Sequence, residues 1–154
     1  MRLVLARPRL LATVTNPLVA GSAVGNSLEY SRFMRLLLDG GVFNGQQLLS
    51  TAMIGEILRN QVNGLPITYS PFPVGQRPNY PGYGMGVFLS STSLHPGSNG
   101  PEFSDPGLLG TTPWIDLGLG YAGVLVIDKT TIAGIAIWNQ LRPEIIRQLT
   151  QPAG

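Results

Sequence analysis

The chain has 154 residues, of which 44% are hydrophobic and only 12% charged, with ten basic residues against eight acidic ones. That length fits one ordinary domain, and the weak net charge of +2, with no basic stripe carrying interleaved aromatics, argues against a nucleic-acid partner. The absence of Cys excludes disulfides and thiolate metal sites, and a single His, His95, cannot build a histidine cluster, so neither metal nor cofactor is expected.

The opening stretch, "MRLVLARPRLLATV", mixes Arg into apolar residues and lacks the continuous apolar run and small-residue cleavage site of a signal peptide. No run reaches the roughly 18 apolar residues that a membrane span needs. The composition assigns no compartment.

"GNSLEYSRFMRLLLDGG" is the first clear element. Asn26 and Glu29 have the spacing of a capping box, Tyr30, Phe33, Met34, Leu37 and Leu38 recur at helical intervals, and Gly40 supplies a left-handed stop. A helix over about 27–39 follows. Asn44-Gly45, between short apolar pairs, signals a tight hairpin. Ser50 then caps a second helix, "TAMIGEILRNQ", with Met53, Ile54, Ile57 and Leu58 as its apolar face and Gly55 as a weak point.

Residues 61–82 carry five prolines and read as a long irregular connection, anchored by Tyr69, Phe72 and Tyr80. Such a loop either lines a cleft or covers a surface. "GYGMGVFLS" alternates and reads as one strand over 83–90, with Tyr83, Met85, Val87 and Leu89 on one side and a glycine-rich face on the other. His95 falls in a solvated "SLHPGSNG" loop. "TTPWID" and "YAGVLVID" flank the turn "LGLG" as an antiparallel pair, and Pro113, lacking a ladder donor, predicts an edge or a bulge. Trp114 and Trp138 are expected in the core. The chain closes on a helix over 132–149, with Ile135, Trp138, Leu141, Ile145 and Leu149 at helical spacing and Pro143 inside it; its β-branched start, 131–137, leaves a strand as the alternative.

The predicted class is α+β: one domain over 1–154, with a helical segment over 16–60, the Pro-rich loop 61–82, sheet strands over 83–128 and the terminal helix. In this order the residues resemble the C-terminal portion of the serine β-lactamase-like hydrolases, which include class C β-lactamases, D-alanyl-D-alanine carboxypeptidases of the penicillin-binding type, and esterases. The resemblance rests on "AGSAVGNSLEYSRFMRLLLDGGVFNGQQLLSTAMIGEILRNQ", on "GYGMGV" and on "FSDPGLLGTTPWID", and it covers most of residues 16–149.

It implies a β-lactamase/transpeptidase-like fold and acyl transfer from a small ester or amide by a serine nucleophile. Such chemistry needs Ser-x-x-Lys on a helix, Tyr-x-Asn or a Ser counterpart, and Lys-Thr-Gly or His-x-Gly on a strand. Only the third has a positional match, Asp105-Pro106-Gly107. The one Lys is Lys129, and Val126 stands where its serine would be. The five tyrosines are followed two places on by Arg32, Pro71, Gly82, Met85 and Gly123, so Tyr-x-Asn is absent too. "KTT" at 129–131 reads as a plain turn.

The resemblance therefore implies a fragment without catalytic residues of its own, inactive alone, whose partner is a missing N-terminal half of the same fold. The low charge fits apolar surfaces meant for that partner, and marginal stability and self-association are expected. The alternatives are a non-catalytic ligand-binding or interaction module on this fold, and an unrelated small α+β domain. As substrate-binding residues the resemblance offers Asp105, Gly107 and Leu108, the last through its backbone N–H as an oxyanion donor. Asp105 departs from the usual Lys or His and would repel a substrate carboxylate, which favours neutral esters; the competing reading is a turn cap before Pro106. Gly107 and Gly110 either admit a substrate or allow close backbone packing.

Overall fold

The computed structural model describes residues 25–91, 94 and 98–151. The expectations for residues 1–24 and for His95 lie outside the described residues.

Helix α1 spans Ser27–Leu38. Its capping box is formed as the sequence predicts: the Glu29 N–H donates to Asn26 Oδ1 at 2.9 Å, and the Asn26 N–H donates to Glu29 Oε2 at 3.2 Å. Met34 and Leu37 are its buried residues. The predicted hairpin follows as β1 (Val42–Phe43) and β2 (Gln46–Gln47), turned by Asn44 and Gly45 at φ 50° and 76°. Two successive left-handed residues match the twist of a two-residue hairpin, which is why Asn-Gly stands there.

Helix α2 spans Thr51–Leu58, capped by Ser50 Oγ, which accepts from the Met53 N–H at 3.2 Å. It stops short of Gln61, because the next residues are recruited elsewhere. Gln61 N–H donates to the Tyr83 carbonyl at 2.7 Å, and Asn60 Oδ1 accepts from the N–H groups of Val62 and Tyr83. Ile54 and Leu58 are buried as expected, but Met53 lies outward, 53% exposed.

The Pro-rich connection is more ordered than its composition suggests. Val74–Asn79 form a 3₁₀ helix containing Pro78, and Arg77 Nε donates to the Phe72 carbonyl at 3.1 Å. Phe72 and Tyr80 stack with ring centroids 3.9 Å apart and are buried, whereas Tyr69 is 76% exposed and anchors nothing.

The sheet has five strands where three were expected: β3 (Gly82–Tyr83), β4 (Phe88–Leu89), β5 (Glu102–Ser104), β6 (Thr112–Asp116) and β7 (Tyr121–Leu125), in that spatial order and antiparallel throughout. The single strand read over 83–90 is two. The chain folds back so that Gly82 faces Leu89 and Tyr83 faces Phe88, with Gly86 at φ 83° in the turn. Period-two alternation across a glycine-rich centre is equally compatible with a tight hairpin, and Met85 at its tip is exposed. The β6–β7 pair matches expectation.

Pro113 sits in an interior strand, yet its position is locally an edge. It pairs with Val124 of β7, while β5 ends its pairing at Ser104 opposite Trp114. The Pro113 carbonyl points to the β5 side, where it accepts from Ser104 Oγ at 2.6 Å. In an antiparallel strand the nitrogen shares that side, so the missing donor falls where no strand partner waits.

Two layers of helix cover the sheet. Met34, Leu37, Ile54 and Leu58 pack on one face with Leu89, Phe103 and Ile115. On the other lies helix α3, Thr131–Thr150, which settles the 131–137 alternative as helix. Its inward residues are Ile135, Trp138, Arg142 and Ile146; Leu141 and Leu149 are exposed, so the predicted stripe is displaced by one position in its second half. Trp114 and Trp138 stack in the core, as expected. Beside them Glu102, fully buried, accepts from Arg142 Nη1 at 2.9 and 3.2 Å and from the Tyr80 hydroxyl. Glu102 can lie in the buried strand Glu102–Ser104 because Arg142 neutralises its carboxylate.

Candidate site at the turn after β5

The three residues matched to the strand-borne motif lie just past the strand. β5 ends at Ser104, and Asp105-Pro106-Gly107 lead into the turn at Leu108–Leu109, closed by the Gly110 N–H on the Gly107 carbonyl. Pro106 cannot donate to a ladder and holds the preceding residue extended, so the pairing stops there.

The turn is fixed from below. Gly107 N–H donates to the Thr111 carbonyl at 2.7 Å, Gly110 N–H donates to the Gly107 carbonyl at 3.0 Å, and Thr131 Oγ1 donates to the Gly107 carbonyl at 2.9 Å. Lys129 N–H donates to the Leu109 carbonyl at 3.0 Å, and Thr130 Oγ1 caps α3 by accepting from Ala133. "KTT" thus has the turn role expected of it and ties the loop to α3. Gly110 serves close packing: a Cβ there would lie 2.9 Å from Ile127 Cγ1 and 3.0 Å from the Thr130 carbonyl oxygen. Gly107 has ordinary room for a Cβ, 3.5 Å from the nearest atom. Leu108, at the tip, is 84% exposed, and its N–H has no hydrogen-bond partner among the described residues.

Asp105 faces two clefts. One is an open groove of about 480 Å³, walled by Pro66, Ile67 and Tyr69 of the Pro-rich loop and by Tyr83 and Phe88. The other is a small cavity of about 100 Å³ between α1 and the sheet, reaching Tyr30, Met34, Phe103 and Ile115. Desolvation raises the Asp105 carboxyl to about 6. The residue as a whole is exposed, so solvent still reaches the carboxyl and the shift overstates its energetic weight. Burial raises Tyr30 and Tyr83, and the nearby Asp105 charge adds to both. Asp105 makes no hydrogen bond or ion pair among the described residues, which removes the turn-cap reading.

Sequence reasoning missed that Tyr30 and Tyr83 flank Asp105. They come from α1 and β3, and no spacing could join them; only the antiparallel order of β3, β4 and β5 brings them to one end of the sheet. The neighbouring Ser104 hydroxyl is buried and committed to the Pro113 carbonyl, so it is no nucleophile. Among the described residues no group of three or more His, Cys, Asp or Glu side chains could hold a metal, and no helix is long and apolar enough to cross a membrane. The arrangement offers a partly desolvated carboxyl, aromatic and aliphatic walls and an exposed backbone donor.

No protein-family model and no curated protein matches this sequence. Among solved structures, the chain is similar to the crystal structure of a "putative beta-lactamase" from Bacteroides dorei DSM 17855, with a TM-score of 0.57 and 17% identity over 87% of this chain. This chain spans 46% of that one, about half its length. At that identity the likeness shows fold alone. The antiparallel sheet, its flanking helices and the terminal helix have the α+β architecture of the C-terminal portion of a β-lactamase-like protein.

Proposed function

We propose that this chain supplies the substrate-facing wall of a serine-hydrolase-type site, and that the nucleophile comes from a partner segment bearing Ser-x-x-Lys. The observation that carries this reading is the segment Asp105–Leu108. It closes β5 of a β-lactamase-like sheet, it is held rigidly by Thr111 and Thr131, and it presents a backbone N–H at an exposed tip. A backbone donor makes no demand on side-chain type, so Leu is admissible at 108. One such donor contributes about 10²–10³ in rate. The chain's own sequence holds neither Ser-x-x-Lys nor Tyr-x-Asn, so alone it hydrolyses neither esters nor β-lactams.

Asp105 sets the substrate charge. Two like charges 4 Å apart repel by about 4 kcal/mol at an effective dielectric of 20, and by less through water. A small neutral ester or amide is therefore favoured over penicillin or a peptide ending in a carboxylate. The test joins this chain to an N-terminal half from a β-lactamase-like hydrolase and assays a neutral ester and a penicillin. The fusion is expected to hydrolyse the ester. Asp105→His is expected to shift preference toward the penicillin by about tenfold or more, a change of about 1.4 kcal/mol. An unchanged preference would remove Asp105 from the site.

A further inference from the structure

The groove beside Asp105 is built entirely from this chain, whatever supplies a nucleophile. Pro66, Ile67, Tyr69, Tyr83 and Phe88 give it apolar and aromatic walls, and Asp105 is the charged residue among those that line it. Its volume, about 480 Å³, is in the range of small-molecule sites. The wall formed by the Pro-rich loop is held in place. Its start is tied to the sheet through Asn60, Gln61 and Tyr83, and its far side is pinned by the stacked pair Phe72 and Tyr80.

Among the described residues Asp105 has no cationic partner. The titratable groups that face it are Tyr30 from α1 and Tyr83 from β3, and neither is cationic. A partly desolvated carboxylate at one end of an aromatic-walled groove matches one ligand chemistry. A cation gains both the carboxylate and the ring faces, while an anion is repelled and a neutral group gains only the walls.

We infer that this groove binds an organic ammonium compound, a cationic amine on a small apolar body, with Asp105 holding the charge and Ile67, Tyr69, Tyr83 and Phe88 holding the body. This site is a property of the chain alone. It shares Asp105 with the hydrolase reading but needs no nucleophile, so failure of a fusion to turn over ester leaves it standing.

The full chain is titrated at pH 7.5 with three matched probes: phenethylammonium, 2-phenylethanol and 3-phenylpropionate, followed by NMR shift changes or calorimetry. Saturable binding of the ammonium probe is expected, about tenfold or more tighter than the alcohol, with the carboxylate weakest. Asp105→Asn is expected to bring the ammonium probe to the level of the alcohol. Lowering the pH to 5 should do the same in the unmutated chain, because the carboxyl, at about 6, then carries a proton while the amine stays charged. This arm needs no variant to fold. Tyr69→Ala, at an exposed position, should weaken the ammonium probe and the alcohol alike and keep their order. Equal binding of the three probes, no binding of any, a preference for the carboxylate, or an ammonium preference that survives both Asp105→Asn and pH 5 would overturn the inference.

Discussion

At the scale of single residues, Asp105 sits where burial disfavours the charged form of its side chain. In the unfolded chain its carboxyl titrates at the ordinary value of 3.8, and in the folded chain desolvation lifts it to about 6. Between these values the folded chain holds a proton that the unfolded chain has released. Stability contributed by this group therefore falls as pH rises from about 4 to about 6, and stays lower above that. Asp105→Asn removes the penalty. The variant is expected to be more stable than the parent at pH 7.5, by up to about 1 kcal/mol given the solvent that still reaches the side chain, and no more stable at pH 4. Urea unfolding of both proteins at the two pH values measures this, and other titrating groups cancel in the difference. A variant less stable at pH 7.5 would mean that Asp105 has a favourable partner. The resemblance put Asp105 on a strand, whereas it lies just past the end of β5. Its surroundings were not legible in the sequence, since Tyr30 and Tyr83 reach it only through tertiary structure.

Elements were legible where a local signal settles them. Asn26 with Glu29 is sufficient for the start of α1, Asn44-Gly45 for the β1–β2 turn, and Ser50 for the start of α2, because each signal acts on its own neighbouring backbone. The errors lie where distant partners decide. The 83–90 stretch turns back because Gly84 N–H bonds to the Val87 carbonyl and Met85 N–H to the Ile57 carbonyl. β5 exists because Arg142, far along the chain, neutralises Glu102. The same contrast separates two helical glycines. Gly55 in α2 has nothing within 4 Å of an added Cβ, whereas a Cβ on Gly134 in α3 would run into the backbone carbonyl of Gly110. Intrinsic propensity favours Ala over Gly by about 1 kcal/mol in a helix interior. Gly55→Ala is therefore expected to stabilise by up to about 1 kcal/mol. Gly134→Ala is expected to destabilise by about 1–3 kcal/mol, the range for overpacking, since α3 must move off the turn that carries the site. Urea midpoints of the two variants decide it; a stabilising Gly134→Ala would show that α3 does not sit against Gly110.

For the whole molecule, the helix–sheet–helix layering was predictable as α+β, and the match to about half of a β-lactamase-like chain agrees with the order of the sequence signals. The sheet ends on β7, which pairs with β6 on one side and with no strand among the described residues on the other. Val126 beside it is 52% exposed, Leu117 42% and Leu109 64%. An unpaired edge near apolar side chains is a template for association. Light scattering behind size exclusion is expected to give a mass that rises with concentration above the 16.5 kDa of one chain. A constant monomeric mass would show that these surfaces do not associate.

The central claim is the proposal that this chain supplies one wall of a serine-hydrolase-type site and no nucleophile of its own. Intact-mass spectrometry after incubation with a fluorophosphonate, and separately with penicillin, tests it most directly. The expected result is an unmodified mass with either reagent, since no Ser is followed three places on by Lys. A single stoichiometric adduct on one serine, abolished by its replacement with Ala, would contradict the claim.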